Sequence, residues 1–309
     1  MRAILLMLPI LWIDPTVSFA ANEIPAEKLV VQAEIPRSGD FMGFGFDSLW
    51  MMSVGRLVRV NPADNSFIEI ELEGSLGSTR GVGIGEGAVW IPDPSADMIY
   101  KVDPLTNKMV AKIPAAMLGS EGSIGVGEGA IWVVTEEAVN MTLTRFNSKT
   151  GAVEAKISLP SSGNAVWADY GSIWVTAGSV AGELYRIDPK TNAIASIVPM
   201  RASPRFIASG EDSLWVLNQG DGAVQRIDRQ TGQVVATIET GLLGGGGDIT
   251  TGGGYVWATA PTVPVAQVDP ETNKLLRKFT GVGFGDAIRY GAGSLWVSGS
   301  AIHRIAPPN

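Results

Sequence analysis

Seven of the chain's nine tryptophans recur at almost constant spacing: Trp50, Trp90, Trp132, Trp174, Trp215, Trp257 and Trp296 lie 40, 42, 42, 41, 42 and 39 residues apart. Most of them close a triplet of small residue, apolar residue and Trp, such as Ser48-Leu49-Trp50, Ala88-Val89-Trp90 or Ser294-Leu295-Trp296. A repeat of about 40 residues that carries only strand and turn signals predicts β-propeller blades, each a four-stranded antiparallel sheet. The repeat runs along nearly the whole chain, so the 309 residues read as one domain where length alone would allow two.

Aligned on the tryptophans, the second unit reads as an inner strand Gly81 to Gly85, then Ala88 to Ile91, Met98 to Val102 and an outer strand Lys108 to Ile113. Glycine-rich inner strands suit a narrow axis where backbones approach closely. The turn before the outer strand repeats as Asp103-Pro104-Leu105-Thr106-Asn107, Asp188-Pro189-Lys190-Thr191-Asn192 and Asp269-Pro270-Glu271-Thr272-Asn273. Asp bonds the backbone two residues on, Pro fixes φ, and Asn tolerates a positive φ. These aspartates recur once per unit and lack the clustered spacing of a calcium loop, so they read as turn formers. Each third strand also carries Arg59, Lys101, Arg145, Arg186, Arg226 or Arg304, with Gln267 in the remaining unit. A feature that follows the repeat belongs to the scaffold, and local carboxylates are its expected partners.

The last unit, Phe284 to Ile305, supplies only three strands. Residues 28–36 match the outer-strand pattern of Lys108 to Pro114 and are expected to complete that blade, which removes the free edge of the ring. The expected fold is all-β: a seven-bladed propeller over residues 22–309, closed by its N-terminal strand.

Arg2, the apolar stretch Ala3 to Ile13 and Ser18-Phe19-Ala20 predict a signal peptide over residues 1–20 and export to the periplasm or beyond. With no cysteine, stability must come from packing and not from disulfides. A net charge of −8 argues against a nucleic-acid partner. No second apolar stretch reaches membrane-spanning length, and a soluble monomer is expected.

Ten residues before each repeat tryptophan lie Asp40, Arg80, Gly122, Asn164, Arg205, Gly247 and Asp286, with Glu121 and Asp248 beside two of the glycines. Shortly after the tryptophans lie Asp93, Glu136, Glu137, Asn218 and Gln219, expected on the same funnel. Both registers vary from unit to unit where the turns do not. Unlike polar groups gathered at one mouth are what a specific ligand requires. The expected funnel is Asp40, Arg80, Glu121, Asn164, Arg205, Asp248 and Asp286, its two arginines suited to an anionic or zwitterionic molecule.

The clearest copy of the repeat, Arg226 to Ile238, joins an Arg-Ile-Asp turn to a Val-Val-Ala-Thr-Ile strand. It resembles the exported YVTN-type propellers and the streptogramin (virginiamycin B) lyase superfamily, over residues 28–306. For the lyases, the resemblance implies metal-assisted elimination on a cyclic peptide ester, with a histidine at the inner-strand entrance, a glutamate after the Trp strand, and magnesium. This chain departs from that pattern: its only histidine is His303, in a third strand. The glutamate position is matched in type by Asp93 and is shifted by one residue at Glu136. A base would then have to be a carboxylate, or a tyrosine such as Tyr170 or Tyr290. The run Gly244 to Gly247 lacks the lysine and helix of a phosphate loop.

The leading expectation is a non-catalytic propeller that holds a small polar or anionic ligand, or a partner protein of the envelope, without an assigned cofactor. The alternative is a metal-dependent lyase or lactonase-type hydrolase acting on a cyclic ester, lactone or saccharide, with Mg²⁺ or Ca²⁺ at Glu121, Glu136 and Asp248. A third reading is an envelope-assembly scaffold.

Overall fold

A computed structural model of the chain describes residues 22–53, 55–72, 81–117, 122–137 and 140–308; the expected leader lies outside them. The fold is a β-propeller. Strands follow one another through tight turns, and one 3₁₀ turn, Ala26–Lys28, interrupts them. Each repeat tryptophan sits on the second strand of its own four-stranded antiparallel unit. In one such unit Pro204–Gly210, Ser213–Asn218, Ala223–Asp228 and Val234–Glu239 pair in chain order. The inner strands of successive units touch in a closed cycle: Gly39–Gly45, Gly83–Gly85, Ile124–Gly127, Gly163–Asp169, Pro204–Gly210, Ile249–Gly252, Phe284–Gly291, then Gly39–Gly45 again. The inner strand expected from Gly81 starts only at Gly83.

Val31–Ile35 pairs antiparallel with the third strand of the last unit, Ile302–Ile305, placing Ile35 opposite Ile302 and Glu34 opposite His303. Ile35 is buried there, beside Trp296. The sequence did not foretell the strand before it: Asn22–Pro25 adds in parallel to Lys274–Thr280, the outer strand of the preceding unit. Ala26 and Leu29 then pack with Trp257 and Phe279 as the chain crosses to the last unit. The N-terminal segment therefore staples two neighbouring units.

All seven repeat tryptophans are fully buried. Each indole N–H donates to the carbonyl five residues earlier, as in Trp50 to Gly45 at 3.0 Å, Trp132 to Gly127 at 3.1 Å and Trp257 to Gly252 at 2.9 Å. A buried indole needs that acceptor. The repeated basic residue covers the ring: the guanidinium carbon lies 4.8 Å from the ring centre for Arg59 on Trp50 and 5.3 Å for Arg226 on Trp215.

The expected pairing with local carboxylates is seen among the described residues at Arg145, whose Nε lies 2.9 Å from Glu154 Oε2, and is corrected by the structure for the others. They reach instead into the turn of the next unit. Arg59 Nη1 donates to the Pro104 carbonyl (2.6 Å) and Asn107 Oδ1 (2.7 Å), and Arg226 Nη1 to the Pro270 carbonyl (2.7 Å) and Asn273 Oδ1 (3.2 Å). Arg304 does the same across the closure, to the Pro62 carbonyl (2.6 Å) and Asn65 Oδ1 (2.9 Å) of the first unit. The turn turns its carbonyls toward the groove between units, and a guanidinium's fork fits two acceptors at once. Lys101 and Gln267, which lack the guanidinium's fork, bond the Ser148 and Pro308 carbonyls at 2.9 and 3.2 Å. The turn aspartates act as expected: the Thr231 backbone N–H and hydroxyl hold the Asp228 carboxyl below its ordinary 3.8. Among the described residues no helix is long and apolar enough to cross a membrane.

Candidate functional site

At one end of the axis the inner strands open into a cavity of about 160 Å³, and every unit contributes to its wall. Asp40 and Phe41 come from the first inner strand, Trp167 and Phe206 from the fourth and fifth, Gly245 to Asp248 from the approach to the sixth, and Asp286 and Arg289 from the last. Of the residues expected at the funnel, the structure brings Asp40, Asp248 and Asp286 together here, with Gly122 and Gly247 beside them. Arg80 and Glu121 lie outside the described residues. Glu136 is placed by its backbone alone, opposite Met141 on strand Ala130–Glu137, with Glu137 opposite Asn140.

Asn164 and Arg205 go elsewhere. They line an adjoining recess with Gln219, which meets the axial cavity only at Gly245. There Arg205 Nη1 donates to Asn164 Oδ1 (3.1 Å), while Asn164 Nδ2 donates to the Pro204 carbonyl (3.0 Å). Among the described residues the guanidinium on the cavity wall is that of Arg289, not of Arg205. Asp93 and Asn218 do not reach the funnel either. Asp93 is buried and accepts from the Ser95 backbone N–H at 3.0 Å, holding the turn that follows its strand, and Asn218 donates to the Ala223 carbonyl at 3.0 Å. Both follow an apolar strand end, where a polar side chain must bond its own turn when water is excluded.

Asp248 is the most constrained group of the site. It is buried, and its Oδ1 accepts from the Ile249 N–H (2.8 Å) while Oδ2 accepts from the Ile288 N–H (3.2 Å) and from Arg289 Nη1. Burial pushes its carboxyl above the ordinary range, against the opposing pull of Arg289 and the two amides. A carboxylate whose two oxygens are engaged by backbone N–H groups and a guanidinium is poorly placed to ligate a metal. Asp286 is partly exposed, and its Oδ2 accepts from the Gly247 N–H at 3.0 Å. That carboxylate lies hard against Gly246, where any side chain would collide with it, which accounts for glycine at this point of the run. Phe41 has a φ of 53°, in the left-handed region that a bulky side chain rarely enters, and its N–H donates to Asp40 Oδ1 at 2.9 Å. Such strain costs about 1–3 kcal/mol and gathers at functional sites.

Below the cavity the axis continues into a second chamber of about 340 Å³, lined by Phe44, Ser209, Thr250, Thr251 and Tyr290. Val82, Trp167 and Arg289 wall both spaces and so form the partition. Trp167 is fixed by donating to Ser209 Oγ at 2.9 Å. The expectation for His303 as a strand residue away from the axis matches its place: it is buried, 4.6 Å from the Phe284 ring and opposite Val297. Burial holds its imidazole below the ordinary value near 6.5. Among the described residues no group of three or more His, Cys, Asp and Glu could hold a metal ion.

Trp167 and Arg289 escaped the sequence reading, yet a signal existed. Seven residues before the repeat tryptophans stand Gly43, Gly83, Gly125, Trp167, Ala208, Thr250 and Arg289. The two large side chains in this register of smaller ones are the two of its members that wall both spaces.

No family model and no curated protein matches the chain. Solved structures do. A streptogramin B lyase structure shares 18% identity with a TM-score of 0.72, covering 88% of this chain and 96% of its own. A catalytically inactive His-to-Ala variant of virginiamycin B lyase from Staphylococcus aureus, with quinupristin, shares 16% identity with a TM-score of 0.72, covering 91% and 99%. The Pan2 WD40 domain of Neurospora crassa shares 10% identity with a TM-score of 0.66, covering 88% and 90%. At these identities the likeness is one of fold.

Proposed function

We propose that this protein is an exported propeller of seven blades that binds a small polar ligand in its axial cavity and does not turn it over. The observation that carries this reading is the cavity itself. It is the place where unlike side chains from every unit converge, Asp40, Asp286, Arg289, Trp167 and Phe206 among them, while the contacts of the wall repeat. Its volume of about 160 Å³ matches the roughly 150 Å³ that holds a molecule the size of benzene. Binding without turnover is supported by the state of the ionisable groups. Asp248 is neutralised by Arg289, and the chain's one histidine is buried in a third strand. In the virginiamycin B lyase structure named above, loss of one histidine goes with loss of catalysis.

Thermal unfolding in the presence of small polar molecules tests the reading. A ligand at 100 times its Kd adds about 2.7 kcal/mol to stability, and Asp286→Asn is expected to diminish that gain. Stabilisation that survives cavity substitutions, or turnover abolished by one of them, would overturn it. The fold shared with streptogramin B lyase keeps one competing reading, a metal-assisted lyase or hydrolase. That reading requires stoichiometric Mg²⁺ or Ca²⁺ in the purified protein, lost on replacing Glu121 or Glu136, and elemental analysis decides it.

A further inference from the structure

The second chamber of the axis differs in kind from the cavity above it. Its volume of about 340 Å³ lies within the range of small-molecule pockets. That is room for two rings, since roughly 150 Å³ holds one benzene. Three aromatic side chains, Phe44, Trp167 and Tyr290, line it together with the aliphatic Ile84 and Ile249. Among the described residues the wall carries no carboxylate, and its one charged group is the Arg289 guanidinium.

The hydrogen-bonding groups on this wall are unevenly used. Ser209 Oγ accepts from Trp167 Nε1 and donates to Asp169, and Thr251 Oγ1 donates to the Ser209 carbonyl at 2.6 Å, so both hydroxyl protons are taken. Thr250 Oγ1 accepts the Tyr290 backbone N–H at 3.2 Å, which leaves its own proton without an acceptor among the described residues. Arg289 turns Nη1 to the Ile288 carbonyl and to Asp248, which lines the axial cavity and not the chamber. Its Nε and Nη2 meet no acceptor among the described residues, and neither does the Tyr290 hydroxyl. What stays open is a set of donors.

We propose that this chamber is a second binding site, and that it takes a neutral two-ring compound carrying a carbonyl oxygen. The aromatic wall receives the rings, and the oxygen's lone pairs accept from the Arg289 fork and a neighbouring hydroxyl. Charge selects against the alternatives. Asp248 already balances Arg289, so an anion would stay uncompensated in a recess walled largely by rings and aliphatic side chains, where desolvation is costly. An anion entering from this end of the axis would also meet carboxylates. Glu86, Glu128 and Glu211 stand on the turns that follow the inner strands there, each accepting a glycine N–H of the next unit at 3.0, 3.0 and 3.2 Å. A cation would meet the guanidinium on a wall whose described residues offer it no carboxylate. A hydrocarbon would fill the space but leave the donors unpaired.

Four compounds that share one shape and differ in polarity test this by equilibrium dialysis against the full-length protein: benzophenone, diphenylmethane, diphenylacetate and diphenylmethylammonium. Benzophenone is expected to bind at least about tenfold more tightly than each of the others. Ala208→Leu fills the chamber from a residue that the axial cavity above does not share, and should weaken benzophenone by about tenfold or more without lowering the melting temperature. Arg289→Lys keeps the charge opposite Asp248 but loses the fork. It should bring benzophenone down to the affinity of diphenylmethane and leave the hydrocarbon's own affinity in place, whereas a purely structural arginine would move both alike. Irradiation couples bound benzophenone to a nearby C–H bond, and mass spectrometry should find the label on chamber residues such as Ile84 or Ile249. No binding of benzophenone, equal affinity for ketone and hydrocarbon, or tighter binding of either ion overturns the proposal. Binding that Asp286→Asn abolishes and Ala208→Leu spares also overturns it, by moving the ligand to the axial cavity, and leaves the function proposed for that cavity standing.

Discussion

Around the wall of the propeller the same contacts are made over and over, whereas the side chains that line the axial cavity differ from unit to unit. Each repeat tryptophan is buried and donates to a carbonyl five residues back, as in Trp90 to Gly85 and Trp296 to Gly291, both at 3.0 Å. Arg59, Arg145, Arg226 and Arg304 each cover their indole and bond the next unit's turn. The inner strands instead end on an aspartate in the first and last units, a strained phenylalanine beside one of them, and a buried ion pair between the last two. Periodic chemistry stabilises interfaces that recur; chemistry that breaks the period is free to serve a single ligand. The difference teaches which residues to assign to fold and which to function.

The largest expected effect tests the wall at its one irregular joint. Deleting Asn22 to Ile35 removes the parallel strand on one unit and the outer strand of the next, together with the burial of Ala26, Leu29 and Ile35. Cooperative unfolding by heat should be lost or shifted down by many degrees, and an unchanged melting curve would refute the role of this segment in closure.

Next in size, Trp215→Ala should cost about 3–5 kcal/mol in denaturant unfolding, the usual penalty for emptying a large buried aromatic site. Trp167→Phe, at the axis, should cost only about 1 kcal/mol through its lost bond to Ser209. Equal costs at the two tryptophans would erase the distinction between wall and axis.

Smaller again is the inter-unit clasp. Arg226→Met removes two bonds to the neighbouring turn and the cover over Trp215, and should cost about 1–3 kcal/mol. Gln267→Met, with one such bond, should cost about 1 kcal/mol. By contrast, Asp286→Asn should alter stability by less than about 1 kcal/mol, since its bond from Gly247 can persist, while changing what the cavity binds.

The smallest expected effect concerns pH. Burial lowers the His303 imidazole from its ordinary value near 6.5. As pH falls through that value, the unfolded chain takes up the proton before the folded one, so folding is progressively disfavoured until the depressed folded value is passed. Stability should therefore be flat above that window and decline within it, and His303→Gln should remove the decline. A variant with the same slope would place its origin elsewhere.

The wall was legible in the sequence because it repeats: tryptophan spacing, turn aspartates and the strand-like segment before Pro36 all announce themselves by copying. What the arginines bond was not legible, because acceptors in a neighbouring turn are backbone carbonyls, which sequence does not mark. The axis was half legible. Counting ten residues back found Asp40 and Asp286, but the same count placed Asn164 and Arg205 with them, whereas these fold into a side recess. Phe41 and Phe206 stand one residue further along, and Arg289 and Trp167 three, in registers where apolar or small residues drew no notice. The parallel strand Asn22–Pro25 carried no periodic signal at all, since it has no counterpart in other units.

The most direct test is a crystal structure of the protein purified from its native host, read for electron density within the cavity bounded by Asp40, Asp286 and Phe206. The account predicts a compact organic molecule there, in contact with a carboxylate and an aromatic face. Density for an ion ringed by oxygen ligands, or a ligand bound on the outer wall above an unfilled cavity, would contradict it.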